Sequence, residues 1–410
     1  MIRTHVLSCK LPKAEADALN RESGRVYTQT LVWHYRIYRR KGIWLSPNAD
    51  GRLNDYFGGD TILHAHGRDA AQQGFYKACK TARTCRKMGM DVKYPHKRKF
   101  WRTTVWKNTG IRVRDGSLLL ARARGTQPIP VNLPAPLSAL PLQAFLEARL
   151  VYDPIAKRYN WHLVVEDGVL PNSPPGDKIL AIDLGEIHPM AVANEQGEVV
   201  IFSARALRSV NQYRNKKLSG LQRAQSAKVR RSRAWRKLQR RKVKFLARNK
   251  RQRRDIEHKV TRAVANYAVA QKANRVVVGD IRDIADGKRL NAKSQQKIAN
   301  WSHGKQIKFL EYKLVTNSIA LDRQDESYST QTCPMCGALN KPKGRVYRCS
   351  NCGFVAPRDA SAACNQESRA LYGCYGRIQP CSVKYLRAFN NRSSSGMWHP
   401  ASSLRGYLVA

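Results

Sequence analysis

Hydrophobic and polar positions change their period several times along the chain. Within 26–41, Leu31, His34, Ile37 and Tyr38 stand near helical spacing with arginines and lysines between them, and 69–88 repeats the pattern. Two basic helices are expected there. After Pro95 the period falls to two: 103–113 and 117–123 alternate as strands, proline-rich 128–141 interrupts, and 147–152 with 159–165 reads as a hairpin around Asp153-Pro154. A β-rich unit with a helical insertion fits this half, and two unrelated small domains would give the same pattern. Pro171-Asn-Ser-Pro-Pro-Gly176 punctuates like a linker.

The second half is more regular. Three apolar runs, 178–184, 190–193 and 199–202, are joined by short connections including a Glu195-Gln-Gly197 turn, so they open an antiparallel meander whose first strand ends in Asp183-Leu-Gly185. From 205 to 262, Leu207, Val210, Leu218, Leu221, Leu238 and Leu246 fall irregularly on helical faces, as in a hairpin or succession of basic helices. Residues 275–280 (Arg-Val-Val-Val-Gly-Asp) return to a buried strand, and 298–319 is amphipathic, with Trp301, Leu310 and Leu314 on one side. A short stretch at 322–328 follows, a last helix begins at Pro357, and no internal repeat is visible. Beyond Gly373 the chain is rich in Ser, Gly, Arg and Asn and is expected to be poorly ordered.

Charge decides the class of partner. Among 410 residues, 75 lysines and arginines stand against 29 aspartates and glutamates, a formal balance of +46. Such a chain repels itself unless it meets a polyanion, and nucleic acid is the commonest one of that capacity. The run 205–262 alone holds 23 of the basic residues against only Asp255 and Glu257. A hydrophobic content of 42% excludes a wholly disordered basic tail protein. With no apolar run of membrane-spanning length and no signal-peptide pattern, the expectation is a soluble, cytoplasmic, nucleoid-associated protein with no membrane partner.

Two constellations carry chemistry. Cys333-Pro-Met-Cys336 and Cys349-Ser-Asn-Cys352 lie twelve residues apart, each followed by glycine, a spacing that suits four thiolates around one structural Zn2+. Such a site is closed and has no catalytic position. The other six cysteines are scattered and read as incidental thiols. Phosphodiester hydrolysis by two metals needs about three convergent carboxylates. Asp183, at the end of a buried strand, is costly there unless it binds something. Asp359, near a helix start, would cap that helix or reach the same pocket.

With these residues in view, 178–372 resembles the TnpB proteins of insertion sequences, relatives of miniature type V CRISPR effectors. The resemblance rests on Asp183-Leu-Gly185 after an apolar strand, the basic helical region and Val276-Val-Val-Gly-Asp280. It continues in Tyr328-Ser-Thr-Gln-Thr-Cys333-Pro-Met-Cys336-Gly337, Cys349-x-x-Cys352 and Arg358-Asp359-Ala-Ser-Ala-Ala363. It is looser over 1–175, where Tyr94-Pro95 and the β pairs carry it. The resemblance implies an α+β multidomain chain. A β-barrel wedge domain (1–175) would hold an inserted helical recognition domain at roughly 15–95. An RNase H-like (RuvC) nuclease domain would span 176–332 and resume with its final helix at 353–372, around a zinc ribbon at 333–352, before the tail 373–410.

It also implies an RNA-guided DNA endonuclease that binds a guide RNA, recognises a short target-adjacent motif and cuts double-stranded target DNA with an unwound strand. Mg2+, with Mn2+ as a substitute, would sit on Asp183, Glu326 and Asp359. By position Asp183 matches the first RuvC carboxylate and Asp359 the last. The middle one departs from the family, whose usual Glu falls here on Gly279, followed by Asp280. If Gly279 faces the site, Asp280 faces away. Glu326, on the next strand, is the preferred substitute, with Asp280 or a lost ligand as the other readings. A lost ligand would leave a nuclease-inactive RNA-guided DNA-binding protein, a repressor or targeting module. A general nucleic-acid binder with a zinc ribbon would explain the charge but not the strand-end acids. The basic helices would hold about 20 base pairs of guide–target heteroduplex by its backbone.

Overall fold

The computed structural model describes residues 2–49, 51–52, 60–168, 171–282 and 291–387, with the backbone of 406–408. The chain divides into two compact units, 1–169 and 170–410, at the start of the proline-rich linker.

In the first unit, β1 (Ile2–Ser8), β2 (Thr104–Lys107), β6 (Phe145–Asp153) and β7 (Arg158–Glu166) form an antiparallel sheet in the order β1-β7-β6-β2. A second antiparallel sheet holds β3 (Ile111–Arg114), β4 (Ser117–Leu120) and β5 (Ile129–Asn132). The hydrogen bonding of the described strands is thus shared between two sheets, and their inner residues, among them Trp106, Leu118, Leu150 and Trp161, share one core. The β6–β7 hairpin turns at Asp153, whose Oδ1 accepts the N–H groups of Ile155 and Ala156 at 2.8 and 3.1 Å. Between β1 and β2 run α1 (Lys13–Lys41) and α2 (Ala65–Lys87).

The helix expected over 26–41 is the second half of α1. Its first half is helical because Ala16, Leu19 and Ser23 are buried, and Asn20 is tied to the sheet: Asn20 Nδ2 donates to the Leu150 carbonyl at 3.2 Å and its Oδ1 accepts the Thr104 N–H at 2.9 Å. Where the helices meet, His34 is enclosed by Trp44, Phe75 and Tyr76, and burial pulls it down to about 4.

The second unit is built on a seven-stranded sheet. Its strands are β8 (Lys178–Asp183), β9 (Met190–Ala193), β10 (Glu198–Ser203), β11 (Ala273–Asp280), β12 (Ala320–Asp325), β15 (Ser382–Arg387) and β16 (Gly406–Leu408), in the order β12-β11-β8-β9-β10-β15-β16. The expected meander β8-β9-β10 is antiparallel, while β11 lies parallel to both β8 and β12.

The sheet is covered on both faces, which is why its strands read as continuous apolar runs. Leu180, Ile182, Val192, Val200, Phe202, Val276 and Val278 pack on one side against α4 (Arg233–Ala270) and α6 (His303–Val315). Ala191, Ala193, Val199 and Ile201 pack on the other against Ala360, Ala363 and Cys364 of α7 (Arg358–Tyr372). Ahead of α4 runs α3 (Arg205–Ser226), and ahead of α6 runs the short α5 (Ala292–Asn300).

α4 explains how a basic segment folds. Ile256, Val260, Ala263, Val264 and Ala268 recur at helical spacing and are buried. The preceding stretch exposes Arg236, Lys237, Arg240, Arg241, Lys244 and Arg248 and packs beside α3. One face of sequence thus anchors a helix whose other half carries charge.

The tail departs from expectation. Disorder was expected from residue 373 onward, but β15 pairs in parallel with β10 and buries Val383, because Val383 and Ile378 complete the apolar layer under α7. The parts of that expectation at 388–405 and 409–410 lie outside the described residues. Among the described residues no helix is long and apolar enough to cross a membrane.

Candidate active site

Alternation along the strands decides which acids meet. In β8, Leu180 and Ile182 face α4 and α6, so Asp183 faces α7. In β11, Val276 and Val278 face α4 and α6, so Gly279 shares the face of Asp183 while Asp280 points the other way. Asp359 stands in the first turn of α7, at the same ends of the strands.

Asp183 is buried. Burial first, then the charges of Asp359 and Glu326, push its carboxyl well above the ordinary aspartate range, and Arg358 is the opposing charge. Asp183 therefore feels the charges of two further carboxylates, both of them only partly buried. Asp359 is mostly buried and approaches Arg345 Nη1 at 3.5 Å. His188, in the tight turn between β8 and β9, is also buried. Desolvation lowers it, with Asp359 opposing and Arg205 and Arg345 adding.

Glu326 follows the last residue of β12 and folds back over β11. A Cβ placed on Gly279 would stand 2.6 Å from Glu326 Oε2 and 3.1 Å from its Cβ. Glu326 fills the space that a side chain at 279 would need. Asp280 is elsewhere: both its oxygens accept from Arg282 Nε at 2.9 Å, and this pairing holds its carboxyl below the usual range.

The turn that carries Glu326 is heavily braced. Asp325 Oδ1 accepts the Ser327 N–H at 3.0 Å and its hydroxyl at 2.7 Å, and Asp325 Oδ2 pairs with Arg369 at 3.1 Å. Gln324, beside Gly279 in register, donates to the Gln366 carbonyl at 2.7 Å and to its side-chain oxygen. Sequence reasoning missed Arg345, His188, Gln366 and Arg369. For Gln366 a signal existed, since it lies seven residues after Asp359, two turns along the same helix face.

The four cysteines converge as their spacing suggests. Cys333 Sγ is 3.7 Å from Cys352 Sγ, Cys336 Sγ is 3.6 Å from Cys349 Sγ, and all four lie within 4.8 Å of one another. Metal–sulfur bonds of about 2.3 Å at tetrahedral angles give sulfur separations of about 3.8 Å, so the set fits one ion. Gly337 and Gly353 take positive φ of 74° and 72°, which lets each knuckle close back on its first cysteine. Below them, β13 (Val346–Arg348) and β14 (Val355–Pro357) pair over buried Tyr347.

Residues 162–285 match the family model described as "Probable transposase", and 303–366 match the model "Cas12f1-like, TNB domain". The TnpB-like protein MJ0751 of Methanocaldococcus jannaschii is 27% identical over 124 residues, 30% of this chain and 44% of that protein. The match thus spans less than half of that relative. Among solved structures, the protein of a Cas12f1–sgRNA–target DNA complex is similar with a TM-score of 0.56 and 14% identity, covering 86% of this chain and 81% of that one. CasPhi-2 (Cas12j) bound to crRNA is similar at 0.51 and 12%, covering 93% of this chain and 99% of that one. At such identities the likeness is one of multidomain, mixed α/β fold.

Proposed function

We propose that the chain belongs to the TnpB family and is an RNA-guided DNA endonuclease with a RuvC-type centre at Asp183, Glu326 and Asp359. The observation that supports the reading is the buried Asp183 raised by the charges of Asp359 and Glu326, with Glu326 seated over Gly279. Glu326 is the middle ligand, supplied from the turn after β12 in place of a side chain on β11. The sheet order, with β11 between β8 and β12, supports an RNase H-like nuclease domain. The two β-sheets with their inserted helices fit a wedge and recognition lobe.

The donor set fits divalent cations. Burial and the charges of Asp359 and Glu326 push the Asp183 carboxyl up, with Arg358 opposing, and a bound cation would relieve that repulsion. Asp183, Glu326 and Asp359 would hold Mg2+ or Mn2+. When bound, such ions activate a water and stabilise the leaving oxygen of a phosphodiester. The protein's own residues do the rest. Arg358 limits repulsion at Asp183, and Arg345 orients Asp359. The exposed bases of α3 and α4 hold phosphates while base pairing reads sequence. Cys333, Cys336, Cys349 and Cys352 would bind a structural Zn2+ that fixes the knuckles without chemistry.

The test is to purify the protein with its RNA, sequence that RNA, and offer DNA matched to it beside a randomised flank. Mg2+-dependent cutting that disappears in Asp183→Asn is the expected result. RNA-dependent DNA binding without cutting would replace this reading with a targeting module, and binding that ignores the RNA would remove guidance altogether.

A further inference from the structure

A glutamate on a strand is aimed by the sheet; one on the turn after a strand is not. Glu326 therefore needs an aiming device that an acid at position 279 would not. The residues after α7 supply one. Tyr375 Oη donates to the Ser327 carbonyl at 3.0 Å and lies 3.4 Å from the Asp325 carbonyl, so it grips the turn on both sides of Glu326. Arg369 Nη1 donates to Tyr375 Oη at 2.9 Å and also pairs with Asp325, closing a ring of contacts behind the turn.

The grip is itself held. Ser368 Oγ donates to the Cys374 carbonyl at 2.7 Å and accepts the Arg377 N–H at 3.0 Å, while the Gly376 N–H donates to Asn365 Oδ1 at 3.3 Å. Asn365 Nδ2 donates to the Ser329 and Thr332 carbonyls, each at 2.8 Å, so the same helix ties both ends of the connection between Glu326 and Cys333. Gly376, at φ +81°, lies flat on the first cysteine knuckle: a Cβ there would be 3.1 Å from Gly337 Cα and 3.3 Å from the Cys333 carbonyl oxygen. The strap 374–377 is thus pinned between α7 and the knuckle, with the Tyr375 hydroxyl directed at the Glu326 turn.

We infer that Tyr375 and Arg369 are positioning residues that fix the Glu326 carboxylate for metal binding. This rests on the reading of Glu326 as a metal ligand. A neighbouring group that orients a ligand changes metal affinity without changing the ligand itself. Tyr375→Phe removes the hydroxyl and keeps the ring, and Arg369→Gln removes the charge that lies over the ring and donates to the hydroxyl.

Mn2+ binding to the RNA-loaded protein, followed by electron paramagnetic resonance of the free ion, reads the site without requiring turnover. Both variants should bind Mn2+ about tenfold more weakly than the unaltered protein, the lower range for loss of an orienting partner. Zinc content and melting temperature should stay unchanged, and the Mg2+ concentration for half-maximal cutting should rise while saturating Mg2+ restores most of the rate. Asp280→Asn is the neutral control. If Glu326→Gln weakens Mn2+ binding but Tyr375→Phe and Arg369→Gln do not, the clamp is wrong and the ligand stands. If Glu326→Gln binds Mn2+ as the unaltered protein does, the ligand assignment fails and the clamp with it. A variant that loses zinc or melts early would count the strap as structural support only, and that too overturns the inference.

Discussion

Gly279 and Glu326 exclude each other's side chains: the carboxylate of one occupies the place where a Cβ of the other would be, 2.6 Å away. Gly279→Ala should therefore displace Glu326 while adding one methyl group. Both the carboxylate and the Glu326 Cβ would have to move, and a shift of about 1 Å at reacting groups costs about a hundredfold in rate. Single-turnover cutting of matched DNA measures it, with RNA binding unaffected. Asp280→Ala, which alters a carboxylate held by Arg282 on the opposite face, should cut at the unaltered rate.

Asp183 links the same centre to pH. Its carboxyl is raised by burial and by Asp359 and Glu326, so without metal the folded state binds the proton more tightly than the unfolded chain does. Stability should then be lost as pH rises from the ordinary aspartate range through the folded value. Asp183→Asn should flatten this decline in thermal melts. Magnesium at a hundredfold excess over its Kd should stabilise the unaltered protein by about 3 kcal/mol and leave the variant little changed.

Glu367 gives a second pH dependence outside the metal centre. It falls on the stripe of α7 formed by Ala360, Ala363 and Cys364, is fully buried, and is pushed up to about 8 by desolvation, with the Ala181 backbone opposing and Glu195 adding. Because its folded value is raised, stability is complete below the ordinary glutamate range and declines toward pH 8. Glu367→Gln should remove that decline and stabilise the protein at pH 8.5 by a few kcal/mol, on the order set by a shift of this size. Denaturant melts at pH 5.5 and 8.5 compare the two.

The cysteine cluster should hold about one zinc per chain, as a closed four-thiolate site does. Cys336→Ser should lose the metal and open the knuckles. Limited proteolysis would then cut within 333–352, a region that resists the protease while the ion is bound, and elemental analysis counts the metal directly.

The exposed bases of α4 should act as phosphate contacts. Replacing Arg236, Arg240 and Lys244 together by glutamine should weaken RNA binding most at low salt. The slope of log K against log salt should flatten by roughly 0.7 to 0.9 for each contact removed. Titrations at several salt concentrations separate this from misfolding, which would not change with salt in that way.

Several features were legible in the sequence because they are local. Spacing alone predicts the paired knuckles that bring Cys333, Cys336, Cys349 and Cys352 within 4.8 Å of one another. The apolar runs 178–184, 190–193 and 199–202 became β8, β9 and β10, since strands buried on both faces must be apolar throughout. Strand alternation already separated Gly279 from Asp280. The first half of α1 escaped notice because Leu19 is the one large apolar residue among the small and polar ones it buries there, Ala16, Asn20 and Ser23. β15 escaped because a lone strand in polar chain becomes stable only where an edge such as β10 awaits it.

What the sequence determined by itself was a basic chain with a metal-binding cysteine set and acids at particular strand and helix ends. Only the tertiary structure decided that Glu326 lies over Gly279, that Asp280 turns to Arg282, and that Tyr375 and Arg369 hold the Glu326 turn from behind. The physical reason is distance along the chain. Residues 279, 326 and 375 come together because parallel strands and the helix over them bring distant turns side by side, and no local periodicity records which distant turn will cover a glycine.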